Sequence, residues 1–223
     1  MRITIASFNI KSAELSSVQA IAQILINHRV DVVGLQEVDQ HTVRSKLIDQ
    51  AQAIADMAHL PYVHYSPTLA RGLGQYGIAT LSRYPMLSAS SLLLPVIQGE
   101  ERRRAQVSRL EINGVHLDFV NTHISFVKSS GRPQMAYLID RMLSHCNHCV
   151  LAGDMNGQPV PDGFIRESIE PTWPSHKPSK VLDHIAISPR LAGVHRWQTW
   201  AYPHITDHCL LTLDLDLTGV DAP

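Results

Sequence analysis

Six short blocks of acidic, amide and imidazole residues each sit at the end of a strand-like apolar run, and this recurrence constrains the chain more than any single motif. Asn9 closes Ser-Phe-Asn-Ile, and Glu37 closes Gly-Leu-Gln-Glu-Val. Asn121 and His123 follow Leu-Asp-Phe-Val, and Asp154 and Asn156 follow Val-Leu-Ala-Gly. Asp183 and His184 open Asp-His-Ile-Ala-Ile-Ser, and Asp207 and His208 precede Cys-Leu-Leu. A strand end is a rigid mount beside an open loop, which is where reactive side chains are useful. One Asp or Asn there is ordinarily a turn former or a cap. The weight rests on six together.

The apolar spacing supplies the scaffold for those ends. Residues 3–10 alternate as a strand; Val18, Ile21, Ala22 and Leu25 have helical spacing behind Ser16 and Ser17, and residues 31–37 read as a buried strand. A second helix is expected over about residues 46–59, closed by Pro61. From about 62 to 121 the texture is that of strands, with runs at 76–82, 86–94, 105–112 and 115–122. A helix follows Pro133, with Met135, Leu138, Ile139, Met142 and Leu143 on one face, and further strands are expected at 149–152, 181–188, 194–200 and 209–217. A core of this size can stay undivided up to roughly 250 residues. With no internal repeat or low-complexity linker, residues 1–223 are expected to form one α/β domain with two sheets face to face and helices outside.

Composition narrows the partners. With 44% hydrophobic and 17% charged residues the chain is neither a disordered tail, a collagen nor a small disulfide scaffold. Nineteen Lys+Arg against twenty Asp+Glu leave a formal charge of −1, so nucleic acid would have to be held by a local patch and long duplex is not favoured. Three cysteines, Cys146, Cys149 and Cys209, fit a reducing compartment. The opening MRITIASFNI lacks the apolar region of a signal peptide, and no stretch is long enough to span a bilayer. A cytoplasmic location is expected unless an export signal preceded this chain.

The blocks make a chemical inventory. Asn9 and Glu37 offer hard oxygen ligands suited to Mg²⁺, with Mn²⁺ able to substitute, a cation that keeps waters and shares its coordination with phosphate. Asp154 and Asn156 can hold a nucleophilic water and donate to a phosphate oxygen. His208 beside Asp207, with Asp183 to orient an imidazole, supplies a base or a proton donor. Hydrolysis of a phosphate ester uses all of these.

The ordered series Ser-Phe-Asn-Ile, Leu-Gln-Glu-Val, Tyr-Gly-Ile-Ala-Thr-Leu-Ser-Arg, Glu-Arg-Arg-Arg-Ala, Asn-Thr-His, Gly-Asp-Met-Asn, Leu-Asp-His-Ile and Thr-Asp-His resembles the endonuclease/exonuclease/phosphatase superfamily with the DNase I-like fold. It runs from Ile3 to about Leu217. The resemblance implies a four-layer α/β sandwich of two mainly antiparallel sheets with helices on the outer faces. It makes Glu37 the principal metal ligand with Asn9 beside it and Asp207 approaching, and Asp154 the residue that aligns or deprotonates water. Asn156 would hold the phosphoryl group, and His208 paired with Asp183 would act in acid/base or charge stabilisation. His123, Asn121 and Arg103 would contact the phosphate. Arg104, Ile78 and His184 stand where related sequences often carry Gly, Asn and Tyr, and Lys11 where abasic-site nucleases tend to have Asp and DNase I-like members a basic residue, which leaves the substrate class open and the reaction class intact.

Other features have plainer readings. Side chains of a strand alternate, so of Arg102, Arg103 and Arg104 only Arg103 is assigned to phosphate. Cys146-Asn-His-Cys149 lacks a second ligand pair and is not read as a zinc or redox site. Trp173 is a better candidate for substrate contact than Trp197 or Trp200, and the glycine-rich 71–75 segment is either a lip over the site or a hairpin turn. His59, His64, His145, His148 and His195 are given no chemical role. The expected activity is that of a monomeric, divalent-metal-dependent phosphoesterase acting first on a small or single-stranded phosphodiester. The rivals are a DNA endonuclease or exonuclease, an inositol-phosphate or sphingomyelin-type esterase, and a partner-binding scaffold that retains the fold.

Overall fold

Eleven strands and three α-helices make up a computed structural model that describes residues 1–97, 99–166, 170–193 and 195–220. In chain order they are β1 (Arg2–Asn9), α1 (Val18–Asn27), β2 (Val32–Gln40), α2 (Gln50–Ala58), β3 (Tyr62–Arg71), β4 (Gly74–Ser82) and β5 (Met86–Leu93). There follow β6 (Arg104–Ile112), β7 (Val115–His123), α3 (Lys128–Arg141), β8 (Cys149–Asp154), β9 (Asp183–Ile187), β10 (Arg196–Trp200) and β11 (Leu210–Asp216). Val194, the first residue of the expected 194–200 strand, lies outside the described residues.

A six-stranded sheet in the order β10-β11-β1-β2-β4-β3 faces a five-stranded sheet in the order β5-β6-β7-β8-β9. Each is mixed, with one parallel pair in an otherwise antiparallel ladder: β1 with β2, and β7 with β8. Parallel neighbours need a crossover, and α1 and α3 supply the two. Helices α1 and α2 cover the outer face of the first sheet through Ile21, Leu25, Ile54 and Ala55 against Phe8, Leu35 and Leu81. Helix α3 covers the second through Met135 and Leu138 against Val120 and Leu151. The four layers therefore run helix, sheet, sheet, helix. No helix among the described residues is long and apolar enough to cross a membrane.

Between the sheets, period-two alternation sends one set of side chains inward, and their character changes along each strand. On β1 the inward series runs Ile3, Ile5, Ser7, Asn9; on β7 it runs Leu117, Phe119, Asn121, His123. At the far end Ile5, Leu110, Phe119, Val150, Ile185 and Leu213 pack into an aliphatic and aromatic core. Midway, a buried amide network bridges the sheets: Gln36 donates to Asn121 Oδ1 at 2.9 Å, Asn121 Nδ2 to Ala79 O at 2.9 Å, and Thr80 to Gln106 Oε1 at 2.9 Å. Gly34 is required there, since a Cβ would stand 2.7 Å from Asn121 Oδ1. Because both parallel pairs point the same way, the carboxyl ends of β1, β2, β7 and β8 meet at one rim.

Two helices differ from the sequence expectation. Helix α2 starts at Gln50 and not at 46, because Lys46 and Leu47 take positive φ of 56° and 61° and Asp49 caps the helix by accepting from Gln52 N at 3.1 Å. Leu47 and Ile48 are left exposed. Helix α3 starts at Lys128, before Pro133, through a Lys-Ser-Ser-Gly-Arg turn that reads as loop. Gly131 permits this turn, since a Cβ would meet Ser125 O at 2.7 Å. Ile139 is exposed, and Met142 and Leu143 lie past the helix end. The 71–75 segment is the tip of the β3–β4 hairpin and does not line the cavity described next.

Candidate active site

Where the four carboxyl ends meet there is an open cavity of about 750 Å³. Glu37, Arg103, His123, Asp154, Asn156 and His208 line it, together with Tyr76, Glu101, Phe126, Trp173, Lys180 and Leu182. Six of the ten residues assigned from the sequence thus share one wall, and Asp183 stands directly behind His208.

The His208 pair forms the floor. His208 Nδ1 is 2.9 Å from Asp183 Oδ2, which also accepts from Thr172 Oγ1 at 2.6 Å. A carboxylate only accepts, so Nδ1 carries the proton and Nε2 faces Asp154 Oδ2 at 3.7 Å. Burial alone would lower the imidazole pKa, but the Asp183 charge and hydrogen bond, with Asp154 and Asp207, hold it up to about 9. Asp154 is buried, and that burial with the neighbouring Asp183 charge raises its carboxyl to about 7 against the opposing effects of His208, the Asn156 N–H and Asn9. Near pH 8 the pair is a carboxylate facing an imidazolium.

His123 is different. Arg103 Nη1 lies 2.9 Å from His123 Nδ1, and a guanidinium has no acceptor, so Nδ1 accepts and the single proton is on Nε2, 3.5 Å from Asp154 Oδ2. Burial, then Arg103 and His208, push its pKa well below the usual value, which favours the neutral imidazole. Arg103 also pairs with Glu101 at 3.1 Å, and its buried Nε has no partner among the described residues.

Glu37 reaches the rim through a β-bulge. β2 pairs Leu35 with Ala79 and then Val38 with Gly77, so one extra residue is accommodated and Glu37 takes φ +56°. Asn9 Nδ2 bridges Glu37 Oε1 at 3.0 Å and Asp154 Oδ2 at 3.1 Å, while its oxygen accepts from Lys11 N at 3.1 Å. The two flanking carboxylates draw the donor end of the amide, so Asn9 stands as a link between them and not with its oxygen toward Glu37. Asn156 takes φ +47°, its N–H donates to Asp154 Oδ1 at 3.0 Å, and its side chain donates to Ile124 O at 2.9 Å.

Two assigned residues stand apart. Asn121 is fully buried in the amide network, donating to Leu35 O and Ala79 O, and does not line the cavity. Its amide spans the gap between the sheets. Asp207 is held by Lys11 Nζ at 2.9 Å and the Trp173 indole at 3.4 Å. Burial would raise its carboxyl, but the Lys11 contact and the charges of His208 and Lys11 keep it below the usual value. It too is absent from the cavity wall. His184, one residue from Asp183, points the other way: it accepts from Arg166, and burial followed by the Arg166 charge lowers its pKa to about 4.

The family model of the endonuclease/exonuclease/phosphatase family matches residues 6–208. The chain belongs to that family. Members of the endonuclease/exonuclease/phosphatase family are phosphoester hydrolases. No curated protein sequence matches the chain. Among solved structures it is similar to an endonuclease/exonuclease/phosphatase from Beutenbergia cavernae (TM-score 0.81, 17% identity, 98% of this chain and 72% of that one). It is also similar to truncated TDP2 from Caenorhabditis elegans (0.74, 19%, 96% and 97%) and to a mannosyl-6-phosphatase from Bacteroides thetaiotaomicron (0.72, 15%, 96% and 99%). At these identities the likeness is one of fold.

Of the wall residues not assigned from the sequence, Glu101 lies in the Glu-Arg-Arg-Arg-Ala block and Leu182 in Leu-Asp-His-Ile, where the endonuclease/exonuclease/phosphatase pattern runs through them. Lys180, whose ammonium sits 4.8 Å over the Trp173 ring, and the exposed Phe126 lie outside every block. No local signal announces them. Trp197 and Trp200 donate to Ile185 O and Thr212 Oγ1 and are structural.

Proposed function

We propose that the chain is a divalent-metal-dependent phosphoesterase that hydrolyses a phosphodiester by in-line attack of water. The observation that carries this reading is the Asp183–His208–Asp154 row on the floor of a cavity whose wall also presents Glu37 and Arg103. A bound Mg²⁺ or Mn²⁺ would neutralise phosphate charge as a Lewis acid.

The donor set fits such a cation. Glu37 offers a hard carboxylate on the open wall, with Asp154 joined to it through Asn9. Ligand atoms of Asp154, Asp183 and His208 also lie within 4.8 Å of one another, but there the carboxylates are engaged with the imidazole. Asp207 is taken by Lys11, so Glu37 is the anchor.

Asp154 orients and accepts a proton from the attacking water. Arg103, neutral His123 with its Nε2–H and Asn156, all on the cavity wall, are the groups that meet the phosphoryl oxygens. His208, held cationic by Asp183, stabilises the charge that develops on phosphorus-bound oxygen. Arg103 is paired with Glu101, and the wall adds Glu37 and Asp154 against only two Lys or Arg side chains, Arg103 and Lys180, so it offers no extended basic track. This supports a small or single-stranded substrate over duplex DNA.

The test is hydrolysis of a panel containing bis-p-nitrophenyl phosphate, an abasic oligonucleotide, plasmid DNA, an inositol phosphate and sphingomyelin, with Mg²⁺, Mn²⁺ or chelator. Cation-dependent cleavage of a diester, lost in Glu37→Gln, is the expected result. No turnover on any member with Mn²⁺ would sink the reading in favour of a partner-binding scaffold.

A further inference from the structure

Glu37 depends on a local backbone arrangement that is costly by itself. Without the bulge, alternation would turn Glu37 toward the helical layer with Val33 and Leu35; the extra residue sends it to the rim and returns Val38 to the helix side. The turn that follows Asn9 is equally unusual, since Lys11, Ser12 and Ala13 take positive φ of 46°, 52° and 55° in succession. Left-handed conformations are costly for residues that carry a Cβ. Something must hold both segments.

One side chain ties them together. Arg44 forks onto the fully buried Asp39, two residues past Glu37, through Nε at 2.6 Å and Nη2 at 2.8 Å. The same Nη2 donates to Ser12 Oγ at 2.6 Å, and Ser12 Oγ donates to the backbone oxygen of Glu37 at 3.2 Å. Nη1 reaches Glu14 at 2.6 Å, and the guanidinium lies 5.6 Å from the ring centre of Tyr76 on the cavity wall. Gln50 closes the circuit, donating to Ser12 O at 2.7 Å and accepting from Asp39 N at 2.9 Å.

We propose that Arg44, acting through Asp39 and Ser12, is a positioning residue that fixes the Glu37 carboxylate beside Asn9 and so sets the affinity for the divalent cation. The inference rests on the reading of Glu37 as the cation's anchor. Partners that orient a metal ligand typically govern about 10–100-fold in affinity. A planar fork is needed to hold a carboxylate and a hydroxyl at once, which an ammonium does not provide.

The experiment is Mn²⁺ binding to the purified protein, read by electron paramagnetic resonance without substrate, in wild type, Arg44→Met, Arg44→Lys, Ser12→Ala and Glu37→Gln, with thermal midpoints in parallel. Arg44→Met should weaken Mn²⁺ about 10–100-fold, Arg44→Lys should not restore it, and turnover at saturating Mn²⁺ should stay near wild type. Ser12→Ala keeps the Asp39 fork and removes the hydroxyl that joins Arg44 to the Glu37 backbone, so it decides the matter if Arg44→Met does not fold. Wild-type Mn²⁺ affinity in folded Ser12→Ala and Arg44→Met, with only the midpoints lowered, overturns the positioning role. Wild-type affinity in Glu37→Gln instead overturns the anchor reading beneath it.

Discussion

The two ends of the inter-sheet space are built from the same strands on the same alternation, yet they hold opposite chemistry. At one end Ile5, Leu110, Phe119 and Ile185 exclude water and leave no polar atom to satisfy. At the other, Asp154, Asp183 and His208 are as deeply buried, and each is paired with another ionisable group. Burial is therefore not the variable that separates scaffold from site. The difference lies in whether burying a residue releases free energy, at about 25 cal/mol per Å² of apolar surface, or holds a charge in an environment that shifts its pKa.

The sharpest way to test that division is Asp154→Asn. Turnover should fall about 10³-fold or more. The thermal midpoint at pH 8 should not fall: the carboxyl is raised to about 7, so its ionisation opposes folding above that pH. A large loss of stability would erase the distinction between the two ends.

Phe119→Ala strikes the other end. The ring is fully buried, and its loss should cost about 3–5 kcal/mol in denaturant unfolding, with turnover per folded molecule and Mn²⁺ affinity retained. The amide layer between the ends is probed by Asn121→Ala, which strands the Gln36 amide and should cost about 1–3 kcal/mol with KM unchanged. A collapse of kcat/KM at unchanged stability would instead make Asn121 a phosphate ligand.

The smallest effect is a displacement in pH. A carboxylate forming at about 7 and an imidazolium lost at about 9 give kcat/KM an acid limb and an alkaline limb around an optimum near pH 8. The raised His208 pKa also means that its contribution to stability is full below 6.5 and is lost as pH rises through about 9. Asp183→Asn should move the alkaline limb down by about one to two units. An alkaline limb that stays in place would show that His208 does not set it.

Much of the site was legible because its residues close strands, and strands announce themselves by alternation. Glu37, His123, Asp154, Asp183 and His208 all lie in such blocks, as does Arg103 just before β6. The helix starts were less legible, since the left-handed residues Lys46 and Leu47 carry no compositional mark, and Gly131 matters only against Ser125 and Gln158. Lys180 and Phe126 reach the cavity from loops whose paths depend on the whole fold. Asp207 is placed near the metal by the Thr-Asp-His block of the resemblance; its engagement by Lys11 arises across 196 residues.

The sequence by itself determined most of the strands, though not β3 at 62–71, that their ends are polar where their middles are apolar, and that those ends carry the groups for phosphate chemistry. Those are local properties, written in a two-residue period. The tertiary structure alone decided that Glu37 turns to the rim on a bulge, that Asn9 presents its amide to two carboxylates, that His123 is neutral while His208 is charged, and that Asn121 belongs to the interior. Each depends on a partner brought across the sheets, as Gln36 is brought to Asn121 over 85 residues. A hydrogen bond or a pKa is set by what stands opposite, and only folding determines that.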